Sequence, residues 1–263
     1  MSRLVLKSPA EIAIMHEANL IVRRIIGALK DLIRPGMTTA EIDAFAERRI
    51  TEAGAKPAFK GYPHRGDGHD FPGTVCTSVN DEVVHGVPSE SVVLEEGDIV
   101  SVDLGVLHKG YYGDSAETFA VGKISDEAAK LLRVTRESLD LGVRQTRVGN
   151  RVSDIGHAVQ QHVEENGFSV VREFVGHGIG AQLHEDPQVP NFGQPGRRER
   201  LLSGMVLAIE PMVNAGSHEV MLCAKDGWTA RTRDGGLSAH FELSVAITED
   251  GPSVLGIPAV ATD

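Results

Sequence analysis

"GMTTAEIDAFAERRITEAG", Gly36 to Gly54, and "GNRVSDIGHAVQQHVEENG", Gly149 to Gly167, decide how this chain is organised. At an offset of 113 residues Glu41 falls on Asp154, Ile42 on Ile155, Ile50 on Val163, Glu52 on Glu165 and Gly54 on Gly167. Each copy reads as an amphipathic helix with a polar start and a glycine stop. Capped helices resemble one another, so the match alone has a bland explanation. Each copy, however, has a helical pattern before it and strand-like segments after it. That order predicts an α/β (α+β) fold in which two related halves, about 8–122 and 123–250, surround one sheet. A site is expected between them.

The rest of the chain supports a single domain over 1–263. Ser8, Pro9 and Glu11 give a capping box and a proline start to a first helix, which "RPG" at Arg34 to Gly36 ends. A third helical pattern runs from about Ser125 to Arg144, and the second repeat from about Ser153 to Asn166. "DIVSVDLGVLHKGYYGDSAETFAVG" alternates around Lys109-Gly110 and reads as a hairpin. "MVLAIE" and "SAHFELSVAIT" read as later strands.

Composition narrows the function. The 263 residues carry a net charge of −11, which disfavours a nucleic-acid partner held by phosphate contacts. Two cysteines, Cys76 and Cys223, without a CxxC spacing indicate neither a disulfide framework nor a thiolate zinc site. The first twenty residues lack the apolar core of a signal peptide, and nowhere do 18 apolar residues run together. No membrane partner and a cytoplasmic location are the expectation.

The chemistry lies in the acids. Asp103 and Asp114 stand on the two arms of the hairpin. A turn centred on His108-Lys109 sets them opposite each other, and one centred on Lys109-Gly110 makes them diagonal neighbours. On an edge hairpin they could simply be solvated, but like charges across a strand pair need a cation or a shared proton. Glu210 ends the apolar run "MVLAIE", and Glu242 shares a strand face with His240 and Ser244. Basic residues are scarce in these segments. Four acids on strands that could share one sheet call for a divalent cation, and two such ions bridged by shared carboxylates fit the count best.

"VGHGIGAQLHEDP", Val175 to Pro187, adds two histidines seven residues apart. It lacks the lysine and Ser/Thr of a P-loop and the full GxGxxG spacing, so a phosphate cradle is excluded. Its glycines let the backbone bend close to a metal or substrate while one histidine serves as a ligand. Oxygen donors with imidazole suit manganese, iron, cobalt or zinc.

Taken in order, "NDEVVHGVP", "VSVDLGV", "YYGDSAETF", "GHGIGAQLHEDPQVPNF", "MVLAIEP" and "DGWTARTRDGGLSAHFELSVAIT" resemble the type I methionine aminopeptidases, from the first helix to about Thr248. The resemblance implies a pita-bread fold with two pseudo-symmetric halves and a curved, mainly antiparallel sheet. It implies two divalent ions (Co, Mn, Fe or Zn) held by Asp103, Asp114, His177, Glu210 and Glu242, with Asp114 and Glu242 bridging. Glu210 would also move the proton of the attacking water, and His85 and His184 would face the substrate. Phe59, Tyr62, Phe71, Cys76, Leu183 and Trp228 would line the methionine pocket. The implied activity removes the N-terminal methionine of nascent polypeptides with a small second residue. A monomer and transient ribosome association are further expectations.

Three features depart from the family pattern. The loop Gly61 to Gly73 is a few residues longer, Val84 precedes His85 where many relatives have cysteine, and Leu183 replaces a common aromatic. Without an N-terminal zinc-binding extension or a helical insertion between His184 and Glu210, the chain resembles the short bacterial form. Two alternatives keep the scaffold: an X-Pro aminopeptidase or dipeptidase, and a metal-free peptide-binding module.

Overall fold

A computed structural model describes residues 4–257 apart from Arg65 and Asp67. Those two residues of the loop Gly61 to Gly73, and both ends of the domain expected over 1–263, lie outside the described residues. Helix α1 spans Pro9–Leu32. The Ser8 side chain accepts from the Glu11 N–H, while the Glu11 carboxylate accepts from the Ser8 N–H at 2.7 Å. Helix α2 spans Thr39–Glu52, with the same reciprocal cap made by Thr38 and Glu41. Helices α3 (Asp126–Arg144) and α4 (Val152–Glu165) follow in the second part of the chain. The repeats are thus two 14-residue helices, and in α4 Asp154 accepts from the Arg151 N–H at 2.7 Å as Glu41 does from Thr38.

Fifteen short strands complete the described chain. They are β1 (Lys56–Pro57), β2 (Cys76–Val79), β3 (Glu82–Val84), β4 (Ile99–His108) and β5 (Tyr111–Ala120). Then come β6 (Ser169–Val170), β7 (Gly176–Gly178), β8 (Glu185–Val189), β9 (Val206–Ile209) and β10 (Met212–Asn214). The last are β11 (Val220–Leu222), β12 (Ala230–Thr232), β13 (Ser238–His240), β14 (Leu243–Thr248) and β15 (Gly251–Val254). All pairings among them are antiparallel.

Strand β4 carries β5 along one edge and β1 and β2 along the other. Its Val100, Val102, Leu104 and Val106 point into an apolar cluster with α1 and α2. A five-stranded sheet, β15-β14-β9-β7-β8, packs instead with α3 and α4 in a second cluster. Two three-stranded sheets, β13-β10-β6 and β11-β12-β3, complete the set.

Two expectations need correction. "SAHFELSVAIT" is not one strand: the chain leaves β10 at His240 and joins β9 at Leu243. Between them the Glu242 N–H donates to the Ala116 carbonyl at 2.9 Å, so this residue is bonded to the hairpin and not to β9. Apolar–polar alternation survives the change of partner, which is why it suggests one continuous strand. The four acids therefore do not share one sheet. Asp103 and Asp114 belong to the hairpin sheet, whereas Glu210 and Glu242 flank strands of the five-stranded sheet. The two are sewn together by Ser115 Oγ donating to the Glu242 carbonyl (2.6 Å) and Ser244 Oγ to the Asp114 carbonyl (2.9 Å). No helix among the described residues is long and apolar enough to cross a membrane.

Candidate metal centre

The hairpin turn decides how its two aspartates meet. Lys109 (φ 50°) and Gly110 (φ 87°) form a two-residue turn of the I′ kind, which needs positive φ at both positions. His108 therefore pairs with Tyr111, Asp103 with Ala116 and Gly105 with Asp114. Asp103 and Asp114 are diagonal neighbours on the face opposite the valines. His177 lies in β7, whose partner β9 delivers Glu210 just past Ile209. Glu242 arrives from the break between β13 and β14.

These five residues form the floor of a cleft of about 1130 Å³. That exceeds the roughly 300–1,000 Å³ of ordinary small-ligand sites and leaves room for a peptide. Asp114, His177 and Glu242 each place a donor atom within 4.8 Å of the others. Glu210 Oε1 stands 3.5 Å from His177 Nε2, and its Oε2 stands 3.6 Å from His240 Nε2.

The electrostatics are lopsided, for among the described residues no lysine or arginine lines this cleft. Burial pushes Asp103 up to about 7 and Glu210 up to about 8. Burial, then the neighbouring acids, raises Asp114 and Glu242 well above the carboxylate range. Asp103 Oδ1, Asp114 Oδ1 and Glu242 Oε1 are buried without a hydrogen-bond partner among the described residues. A buried, unsatisfied carboxylate oxygen is costly, and a hard divalent cation is what such oxygens suit.

His177 fits the same purpose. Its Nδ1–H donates to the Gly178 carbonyl at 2.9 Å, which fixes the tautomer and leaves the Nε2 lone pair facing the carboxylates. Burial, then His184, holds its pKa down at about 3, so the imidazole is neutral at physiological pH.

The remaining predicted residues gather around this floor. The bend between β7 and β8 brings the His184 and His177 rings edge to face, 4.5 Å apart, and His184 Nδ1 shares a hydrogen bond with the Tyr62 hydroxyl at 2.8 Å. His85, at a left-handed φ of 61°, packs edge-on against Phe174 and Trp228. Burial, then His240 and His184, lowers its pKa to about 4. Phe59, Phe71, Cys76 and Leu183 are buried in one apolar cluster, with Tyr62 and Trp228 packed against it. The whole set expected from the sequence lines the one cleft.

Other lining residues escaped the sequence reading. Phe174 covers one face of the cleft beside His85, and Met212 lines it too. Neither sits in a pattern that separates it from ordinary core. His240, which the sequence already places on the same strand face as Glu242, is buried against Glu210.

Comparison with known proteins agrees with this geometry. The model of Metallopeptidase family M24 matches residues 13–249. Methionine aminopeptidase 1 of Bacillus subtilis is 52% identical over 252 residues, covering 96% of this chain and 98% of that protein. A crystal structure of methionine aminopeptidase from Thermotoga maritima matches with a TM-score of 0.92 at 43% identity, over 97% of this chain and 99% of that one. Prolidase from Pyrococcus furiosus shares the fold, with a TM-score of 0.75 at 23% identity over 97% of this chain and 66% of that one.

Proposed function

The chain belongs to metallopeptidase family M24, and from that premise we propose that it is an aminopeptidase removing the N-terminal methionine of polypeptides whose second residue is small. It does so as one catalytic domain of two related halves, in the cytoplasm, as a monomer, meeting nascent chains in transient contact with the ribosome. The observation that carries the reading is the cluster of acids with unpartnered buried oxygens beneath an apolar wall.

Asp103, Asp114, His177, Glu210 and Glu242 would hold two divalent ions (Co, Mn, Fe or Zn), with Asp114 and Glu242 shared between them. The chemistry such ions supply when bound is a water acidified toward neutral pH and a polarised peptide carbonyl. Glu210 would also take the proton of the attacking water and pass it on. His85, neutral at that pH, and His184 stand on the cleft wall, where each can donate a hydrogen bond to the carbonyl oxygen of the scissile bond. Phe59, Tyr62, Phe71, Cys76, Leu183 and Trp228 surround the methionine side chain.

The test is hydrolysis of Met-Ala-Ser by metal-free protein supplied in turn with Mn, Fe, Co and Zn, beside an Ala-Pro peptide. Turnover of the methionyl peptide is expected. A preference for the Ala-Pro peptide, or silence with all four metals, overturns the reading.

A further inference from the structure

Lys7 is among the most buried charged residues of the molecule, 6% exposed, and the reaction scheme above gives it no task. It stands one residue before the Ser8 cap of α1, far in sequence from the cleft. Its Nζ donates to Glu185 Oε2 at 2.5 Å and to the Val5 carbonyl at 3.1 Å, while its backbone N–H donates to the Gly204 carbonyl at 2.7 Å. The other Glu185 oxygen accepts from the Gln182 N–H at 3.1 Å. Both oxygens of this carboxylate are therefore committed, one to α1's lead-in and one to the turn that carries Leu183 and His184.

The turn is held from several sides. The Gly180 N–H donates to the Gln182 carbonyl, and the Gly180 carbonyl accepts from the Tyr112 N–H. A Cβ at Gly180 would meet Lys7 Cε at 2.5 Å and Glu185 Oε1 at 2.6 Å, so only glycine lets the ion pair close against the turn. Val5 and Glu185 both line the mouth of the cleft. A buried ion pair adds little net stability over an apolar pair of similar size, so its retention here is better explained by the position it imposes.

We infer that Lys7, acting through Glu185, is a positioning residue that sets the place of His184 over the metal centre. The lead-in to α1 is on this account a wall of the active site, and the ion pair is the strut between wall and turn. The inference rests on the aminopeptidase reading, since it assigns His184 to the substrate.

The test compares wild-type protein, loaded with Mn for kinetics and with diamagnetic Zn for resonance measurements, with the double variant Lys7→Met/Glu185→Met, which removes both charges and leaves neither buried alone. Lys7→Arg and Glu185→Gln are measured beside it. The expected result is a folded double variant that keeps its metal content but loses about 100-fold in kcat for Met-Ala-Ser, the size of effect that a displacement of about 1 Å produces. KM should move far less, the His184 imidazole resonances should shift, and Lys7→Arg should recover most of the loss. A double variant with wild-type kcat and unmoved His184 resonances overturns the inference. If the double variant does not fold, Lys7→Arg and Glu185→Gln decide by the same two readouts. Inactivity of the wild type would instead sink the aminopeptidase reading.

Discussion

Two sets of buried or half-buried acids in this molecule are built on opposite principles. Glu185, at the cleft mouth, has Lys7 on one oxygen and a backbone N–H on the other. Asp43 is likewise matched, accepting from the N–H groups of Thr74 (2.6 Å) and Val75 (3.0 Å) on the approach to β2. The floor acids Asp103, Asp114 and Glu242 have no lysine or arginine beside them among the described residues, and each keeps a buried oxygen without a partner there. The same residue types thus serve architecture in one place and chemistry in the other. An acid matched within the chain holds the fold, and an acid left unmatched waits for something the chain does not supply.

The largest test of that contrast is to neutralise one acid of each kind. Asp114→Asn should lower turnover by about 10³-fold or more, because a cage charge exceeds a single oxyanion donor, itself about 10²–10³. Its metal-free melting temperature should nevertheless hold or rise, since the cost of keeping this carboxyl protonated in the folded chain is gone. A peptidase assay beside thermal melts measures both, and a sharp drop in metal-free stability would break the comparison. His184→Ala should cut turnover by about 100-fold while sparing metal content, read by elemental analysis.

Next comes the pH dependence of the metal-free protein. An unfolded chain ionises its carboxyl groups near pH 4. The folded chain keeps its protons to about 7 at Asp103 and about 8 at Glu210, and higher at Asp114 and Glu242. Between those limits the folded state binds more protons than the unfolded one, so stability falls as pH rises from about 4 through 8. The expected result is a melting temperature that falls steadily across that range, reversed by added Mn or Co. A metal-free protein that grows more stable across that range contradicts the assignment of these acids.

The smallest effect belongs to the matched set. Asp43→Ala leaves two N–H groups without their acceptor and should cost about 1–3 kcal/mol of stability, measured by denaturant unfolding. Turnover per folded molecule should stay near wild type.

The sequence made the floor acids visible for the reason the contrast exists: an acid in an apolar strand with no base nearby is conspicuous. The Ser8 cap was equally readable and the hairpin turn was narrowed to two centres, because both are written in adjacent residues; the positive φ of Lys109 and Gly110 chooses between the two. What the sequence concealed depends on distant partners. The break at Phe241-Glu242 preserves the alternation that a single strand would show, so only the pairing of His240 with Met212 and of Leu243 with Ile209 reveals it. Phe174 beside His85 looks like core until the cleft is built around it. Lys7 meets Glu185 across 178 positions, a distance no local pattern bridges.

The measurement that bears most directly on the unmatched acids is calorimetric titration of Mn into metal-free protein at pH 7.5, repeated in buffers of different ionisation enthalpy. Ligands that hold protons must release them when a cation takes their place. The account predicts saturable binding with net proton release, and both weakened in Asp114→Asn. Binding without proton release, or binding unaffected by Asp114→Asn, would contradict it.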